Sequence, residues 1–567
     1  MFKLVNIKNN IFLIIMFVGL IFLFLSLIIF KIMPTKGHFE IDSVTYDSIA
    51  TNFAQKGLLL DPRNSFNPPL EVVGYPLFLG LIYRFFGDIL PVVFIQALLA
   101  LLCFWLMSRI LEILSDSCFD TFYFTKVRRT LPDFAEGFVG HGSMTGPIIL
   151  AILFLTNLGF LVFTQLLMAE ILYVLFLLFF LERFLSKKIL QAAFIGGLSV
   201  VIKPAILFFP VLLVPFIFYV MRATPSQRRA RRSLWQSLGY PALRLIAFAQ
   251  CDRSWLPGLR SLCPKSIDFA INYGGVGSEP IGESNHEIRD GETRSNDTYP
   301  FKLSFYFLLA FYFPIFLYSC FNYYNYGFFY ISAVTRANLF NFFLPKLKAV
   351  LPDIEVASFN DLFFVCLTHP FIATKIWVLN VLKTLVGLHA THLKVMYNNI
   401  VPGSHSFFKI QGNLCDKFYG YIFGGNSSLL IALIAILEAI WIPIRLVFAS
   451  VGLFSLYRPI IWFDTSCLAK AQQDTHHERP ITLPARRSLM AKSGSDSAGI
   501  VSKGNAIFLT IYIVYFLAIT GADGCSRLRM MVEPVFIVLS VIGIVQICRL
   551  VWFDKLTTSG FDINRSS

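Results

Sequence analysis

Long apolar stretches alternate with polar segments along the chain, and most have the length of a membrane-spanning helix. A hydrocarbon core about 30 Å thick needs about 20 consecutive apolar residues in helical conformation. The first stretch follows Lys3 and Lys8 and lacks a small-residue cleavage pattern, which favours a retained helix with the N-terminus inside. The pattern predicts an all-α polytopic membrane protein with about ten spans. They cover residues 11–32, 89–112, 147–163, 168–186, 189–202, 205–221, 302–321, 428–456, 505–521 and 532–552.

The polar segments differ between the two predicted sides of the membrane. On the outer side, residues 34–88 combine prolines with aromatic side chains and predict short amphipathic helices at the membrane surface. The outer loop 322–427 is long enough for a small cap, with a helical apolar pattern near 371–388. Long polar insertions lie on the inner side. These boundaries divide the chain into 1–112, the insertion 113–146, 147–221, the insertion 222–301, 302–427, 428–456, the insertion 457–504, and 505–567.

Composition and charge support the same class of protein. Hydrophobic residues make up 56% of the chain and charged residues 14%, against about 25% charged in average soluble domains. This excludes a soluble enzyme, a disordered chain and a nucleic-acid-binding module. The net charge is +14, and every adjacent basic pair falls on the predicted inner side, as the positive-inside rule requires. The pairs are Arg128–Arg129, Lys187–Lys188, Arg228–Arg229, Arg231–Arg232 and Arg486–Arg487.

Acidic residues gather at the predicted outer face. Asp42 and Asp47 follow the first span, and Tyr46 lies four residues after Asp42, on the same face of a helix. A partly desolvated carboxylate at such a boundary can position a hydroxyl and accept its proton. Glu170 stands at the edge of an apolar block, where acids are commonly functional or paired. The structural alternative for Asp42 is a solvated acid beside the membrane.

Three cations lie on the same side. Lys203 precedes Pro204 between two short spans, and Arg527 and Arg529 depart from the positive-inside trend. Guanidinium groups form bidentate hydrogen bonds to phosphate oxygens. The pattern therefore predicts a reaction with an anionic, lipid-linked substrate. The structural alternatives are a lysine that extends to the interface and arginines that pair with Asp523 or Glu533.

These residues belong to motifs that resemble, in order along the chain, the GT-C glycosyltransferases. The motifs are Asp42 with Tyr46, Gly74-Tyr75-Pro76-Leu77-Phe78-Leu79, Glu170, Gly197 with Lys203-Pro204, Asn322-Tyr323 with Gly327, and Arg527-Leu528-Arg529 with Glu533-Pro534. The similar branch contains protein O-mannosyltransferases, the lipid A aminoarabinose transferase and Rgt-type transferases. Leu528 and Met531 stand where that branch has Tyr and Pro.

The resemblance implies an inverting transfer of a sugar from a polyprenyl-phosphate-sugar donor to a glycolipid, glycan or protein acceptor. It implies that Asp42 is the catalytic acid residue, acting as base or positioning group. Glu170 would shape the pocket together with Tyr46, Asp47 and Tyr75, or hold a divalent cation; the need for a metal stays open. Lys203, Arg527 and Arg529 would bind the donor phosphate. The implied location is a bacterial inner membrane, with the site on the periplasmic face.

Two other functions remain open from the residues alone. A transporter or flippase fits an acid such as Glu438 within a span, although the two halves of the chain do not match. A polysaccharide polymerase fits the large outer loop. The pair His389-x-x-His392 could share a helix face as metal ligands, but no nearby third ligand is evident.

Overall fold

A computed structural model describes most of the chain, and every regular element in its described residues is a helix or helical turn. The described residues are 2–32, 38–39, 41–62, 72–119, 145–222, 299–329, 331–332, 339–398, 413, 416, 419–420, 429–457, 486–521 and 526–558. Most of the insertions predicted at 113–146 and 222–301 lie outside them.

The helices are numbered here in chain order. They are α1 (Phe2–Ile32), α2 (Ile41–Lys56), α3 (Gly74–Phe86), α4 (Ile89–Phe119), α5 (Thr145–Leu155), α6 (Leu158–Phe163), α7 (Glu170–Leu185), α8 (Ile189–Ile202), α9 (Phe209–Arg222), α10 (Tyr299–Tyr326), α11 (Leu344–Val350), α12 (Phe359–Thr368), α13 (Pro370–Val386), α14 (Ala390–Asn398), α15 (Leu429–Tyr457), α16 (Arg486–Thr520) and α17 (Glu533–Thr558). Short 3₁₀ turns cover Pro204–Ile206 and Ser526–Met531, and a π-helical turn covers Leu339–Phe343.

The chain divides into two compact units. One comprises residues 1–212 together with 308–567, and the other comprises residues 213–307. The first unit contains every candidate site residue of the sequence. Of the second unit, the structure describes only residues 213–222 and 299–307.

Five helices in the described residues are long and apolar enough to cross a membrane, or six if α12 and α13 form one bent span. The five windows are Leu13–Ile32, Ile89–Ser115, Phe301–Tyr326, Leu429–Tyr457 and Ser502–Thr520. The ten predicted spans are therefore matched only in part. The stretch 147–163 shows why, because Asn157 interrupts it and accepts a hydrogen bond from Phe160 N at the start of α6. Two shorter apolar helices result, instead of one span.

A buried irregular segment, residues 164–169, connects α6 to α7. Gln96 in α4 supports it by donating from Nε2 to the carbonyls of Thr164 (3.1 Å) and Leu166 (2.9 Å). Gln165 donates to Ser26 in α1 at 2.6 Å. Non-helical backbone at membrane depth is tolerated where protein groups satisfy it, and these bonds hold the start of α7 in place.

Two short helices, α2 and α3, lie within 34–88 as predicted, and α3 is amphipathic whereas α2 has no distinct apolar face. Gly74 begins α3 against the end of α8, where an added Cβ would lie 2.5 Å from the carbonyl oxygen of Val201. The predicted break at Lys203-Pro204 is also confirmed, since α8 ends at Ile202 and Pro204 opens a 3₁₀ turn. The first turn of α3 therefore lies beside Lys203.

The helices α15 and α17 cross at very short range. A Cβ at Gly452 would lie 2.0 Å from the carbonyl oxygen of Leu539, and one at Gly543 would lie 2.1 Å from that of Phe448. Small residues let helix backbones approach this closely in membranes. Helix α15 continues through Pro443 as a single helix.

One predicted insertion is partly helical. Helix α16 begins at Arg486, within the segment 457–504 that the sequence predicted to be a polar insertion between two spans. Initiation is the costly step in helix formation, so a span that is already helical extends at small cost per residue. Residues 458–485 of that insertion lie outside the described residues.

Replacing Gly452 with Ala should destabilise the α15–α17 crossing by about 1–3 kcal/mol, because the added methyl group meets a backbone carbonyl that cannot rotate away. Thermal unfolding of the purified protein in detergent measures the loss. Gly146→Ala is the matched control, since its Cβ would meet only Leu111 at an ordinary 3.7 Å. Equal melting temperatures for the two variants would contradict the packing analysis.

Candidate functional site

Four of the predicted site residues meet in one network of ion pairs. Arg527 Nη1 lies 2.7 Å from Asp42 Oδ2, and Arg527 Nε lies 3.2 Å from Glu170 Oε1. Lys203 Nζ donates to the same Glu170 oxygen at 2.9 Å. Their side chains come from four distant parts of the sequence, and the fold brings them within direct contact of one another.

Each member is held at the end of a helical element. Asp42 lies in the first turn of α2, and Glu170 is the first residue of α7. A carboxylate at a helix N-terminus is favoured by the unpaired N–H groups and the helix dipole. Lys203 has an extended backbone between α8 and the Pro204–Ile206 turn, while Arg527 lies in the turn that joins α16 to α17.

Burial divides the network into a floor and a reachable face. The Glu170 side chain is 4% exposed, whereas those of Lys203, Arg527 and Asp42 are 18%, 19% and 27% exposed. The two acids and two cations balance formally. Glu170 therefore orients both cations from below, while the cations can bind an anion and Asp42 can accept a proton on the open side.

Among the described residues, no group hydrogen-bonds the second carboxylate oxygen of Glu170, Oε2, which is buried. A buried carboxylate oxygen without a partner is costly. Glu170 is thus held by cations on one oxygen only.

The three other predicted pocket residues join α2 and α3 to each other and to α4. The ring of Tyr46 packs edge-on against Tyr75 with 5.1 Å between centroids, and Tyr75 donates its hydroxyl to Gln96 at 2.9 Å. Asp47 accepts a hydrogen bond from Tyr83 at 2.8 Å, which joins α2 to α3. Burial, together with the Asp47 carboxylate, raises the pKa of Tyr83 far above its ordinary range, so its phenol remains a donor. Their roles toward a substrate stay predictions.

Arg529 belongs to a second, deeper network. Its side chain is 1% exposed and lies between two carboxylates, with Nε donating to Glu533 at 2.8 Å and Nη2 lying 3.2 Å from Glu438. Its Nη1 donates to the carbonyls of Leu385 (2.9 Å) and Gly387 (2.7 Å). These four acceptors engage the N–H groups of Arg529, for which the sequence predicted phosphate binding. We therefore place Arg529 outside the reachable network.

The sequence predicted the acids of this second network, Glu533 and Glu438, only in part. Glu533 had been one alternative partner for the arginines, and its place four residues after Arg529 was a usable signal. It also pairs with Arg445 and accepts from Asn157 at 2.8 Å. Glu438, considered as a transport residue, accepts from the backbone N–H groups of His389 and Ala390 at 2.8 Å each. Arg445 and Asn157 were not singled out.

The two predicted metal-ligand candidates pack with aromatic rings. The rings of His389 and His392 have centroids 6.4 Å apart, and each faces Phe163 at about the same distance (5.5 and 5.3 Å). Within the described residues, no three His, Cys, Asp or Glu side chains are grouped to hold a metal ion.

Comparisons with known proteins add no assignment: no family profile, curated protein or solved structure matches the chain.

Replacing Arg529 with Gln should lower the free energy of unfolding by about 3–5 kcal/mol, because it leaves two buried carboxylates without their shared cation. The folded, monodisperse fraction and its melting temperature provide the measurement. The control is Arg109→Gln, which breaks an exposed pair with Glu112 and should cost under about 1 kcal/mol. A similar loss in both variants would show that Arg529 is not structurally central.

Stability should also fall with acidification through His389. Burial, with the nearby Arg529, His392 and Arg445, lowers the pKa of His389 well below its ordinary 6.5. Below that pH the unfolded chain gains a proton that the folded chain does not, so the free energy of unfolding decreases by up to about 1.4 kcal/mol per pH unit. Melting temperatures between pH 7.5 and 5.5 should drop less for His389→Gln. Equal pH dependence in both proteins would contradict the assignment.

Proposed function

We propose that this protein is a membrane glycosyltransferase that uses a polyprenyl-phosphate-sugar donor. The acceptor is a hydroxyl of a glycolipid, glycan or protein, and the reaction inverts the anomeric carbon. The observation that carries the proposal is the pairing of Arg527 with both Asp42 and Glu170, with Lys203 on the same Glu170 oxygen. A potential base, Asp42, thereby contacts the partly exposed Arg527, and the partly exposed Lys203 binds the Glu170 oxygen that Arg527 also contacts.

The cations suit a departing phosphate. Arg527 and Lys203 approach Glu170 from the reachable side and keep part of their surface open. A donor phosphate that binds there replaces part of the carboxylate contacts with charge-assisted hydrogen bonds of similar kind. As the bond from the anomeric carbon to phosphate breaks, its electron pair moves to a phosphate oxygen, and the nearby positive charges stabilise that oxygen.

Asp42 suits the opposite task. Its carboxylate is 2.7 Å from Arg527, so it borders the position that a donor phosphate bound to Arg527 would take. The acceptor oxygen forms the new bond to that carbon from the face opposite the phosphate, while Asp42 orients the hydroxyl and takes its proton. Tyr46 and Tyr75 are buried and pack edge to face, so their part is to support the pocket from behind.

The membrane arrangement belongs to the same proposal. We place the network at the outer face of a bacterial inner membrane, in a GT-C-like arrangement of about ten spans. In that arrangement the short apolar helices α5, α8 and α9 are broken or buried crossings. The partners are the donor lipid, the acceptor and membrane lipids, without nucleic acid. A divalent cation is not needed for the steps above.

Neither alternative function gains support from the contacts. Glu438 accepts two backbone N–H groups and pairs with Arg529, which accounts for this acid as a structural group. A polymerase would have no need for an acid beside Arg527 after the first helix.

Replacing Asp42 with Asn should abolish transfer while preserving donor binding, because the amide keeps the shape but loses the base. Lipid mass spectrometry on cells of the native host should show accumulation of a sugar-loaded polyprenyl phosphate in this variant, and its mass identifies the sugar. Asp88→Asn is the matched control, since Asp88 is exposed and its carboxylate accepts a hydrogen bond from the N–H of the adjacent Ile89. Identical lipid profiles for native protein and Asp42→Asn, at equal protein levels, would refute the proposal.

A further inference from the structure

Helices α12 and α13 form a hairpin with an apolar outer face. They meet at an angle of 105° around His369, and as a pair they have the length and apolar composition of a membrane span. Large apolar side chains point away from the protein along both arms, and Phe371 at the bend is 89% exposed. Others are Phe363, Phe364, Leu367, Leu382 and Val386.

The inner face of the hairpin is already packed against the protein. Leu362 of α12 and Ile376 of α13 join a core cluster with Phe343, Leu344 and Leu347. The hairpin is thus a folded element whose remaining apolar surface faces outward. A contiguous exposed apolar surface of this kind marks a contact with lipid or another protein.

One contact sets the position of α13 relative to the adjacent membrane-spanning candidate. Asn380 donates to the carbonyl of Gly521 at 2.8 Å, and a Cβ at Gly521 would lie 2.2 Å from the indole nitrogen of Trp377. Gly521 directly follows the apolar window Ser502–Thr520 of α16. The middle of α13 therefore lies at the level where that span ends.

A second contact shows that α13 remains at this level. Arg529, in the turn between α16 and α17, donates to the carbonyls of Leu385 and Gly387. From Trp377 to Gly387 the helix advances about 15 Å, yet both ends of this stretch touch the same connection between two helices. A helix that crossed the bilayer would move away from the connection between α16 and α17 along the membrane normal. A helix that lies along the membrane surface would stay at the level of that connection.

We propose that residues 359–386 form an interfacial hairpin whose outer face is embedded in lipid acyl chains. The leaflet is the one on the side of Arg527, because the Ser526–Met531 turn carries both arginines. The occupant is lipid because the hairpin meets the end of a membrane-spanning candidate, and its two helices together are as apolar as a membrane helix. Exposed Lys375 suits anionic headgroups. This inference does not depend on the proposed enzymatic reaction.

The test is a depth measurement by electron paramagnetic resonance. A genetically encoded nitroxide amino acid replaces Phe371, Val378, Leu382 or Val386, one at a time, which leaves the native cysteines unchanged. The full protein is reconstituted in phosphatidylcholine–phosphatidylglycerol vesicles, and accessibility to oxygen and to a nickel chelate gives the depth of each label. Val514 in α16 provides a deep reference and Lys188 an aqueous one.

All four labels should lie at a similar shallow depth, on the order of 5–10 Å below the headgroups. A depth that changes steadily by about 22 Å from Phe371 to Val386 would mean that α13 crosses the membrane, and would overturn the inference. Full access to the nickel chelate at all four sites would overturn it as well. So would spin–spin coupling between labels of two copies, which would assign the face to a second copy of this chain.

Discussion

A guanidinium that is removed from water must find protein acceptors for its charge, and Arg529 is 1% exposed. Its acceptors come from three places: Glu533 at the start of α17, Glu438 in α15, and the carbonyls of Leu385 and Gly387 at the end of α13. Removing one member of such a set leaves the other buried groups without a partner, which is strongly destabilising. The packing of α13, α15 and α17 therefore depends on all of these groups at once. The close crossing of α15 and α17 brings the two acids into range.

The same short turn carries Arg527 toward the reachable network. Arg527 and Arg529 lie two residues apart in this 3₁₀ turn and point into different surroundings. Arg529 is buried, whereas Arg527 is partly exposed. The closed side contributes rigidity, which is what a site needs if a phosphate is to be bound in one orientation. In the reachable network, Asp42 and Glu170 balance the charges of Arg527 and Lys203 before any substrate binds. An incoming anion therefore replaces some carboxylate contacts of these two cations.

Sequence patterns were informative where one physical rule governs the outcome. The period of apolar residues predicted α13, prolines and aromatic residues predicted short helices within 34–88, and the proline after Lys203 predicted the end of α8. The position of charged residues beside apolar stretches on the predicted outer side also selected Asp42, Glu170, Lys203 and Arg527, although their mutual contacts depend on how distant helices pack. The break after α5 was missed because Asn157 competes for the backbone within a stretch whose mean hydropathy is that of a span. Arg529 was assigned to phosphate because burial depends on α13 and α15, which no local pattern reports.

Gln96 is an uncharged side chain that helps to set the position of Glu170. It accepts from Tyr75 of α3 and donates to two carbonyls of the segment that leads into Glu170. Leucine there would make α4 a more hydrophobic span and would favour its insertion into the bilayer. It would also deprive three buried polar groups of their partner. Membrane insertion of α4 favours an apolar residue at position 96, whereas the hydrogen bonds that position Glu170 need a polar one. The polar residue is the one present.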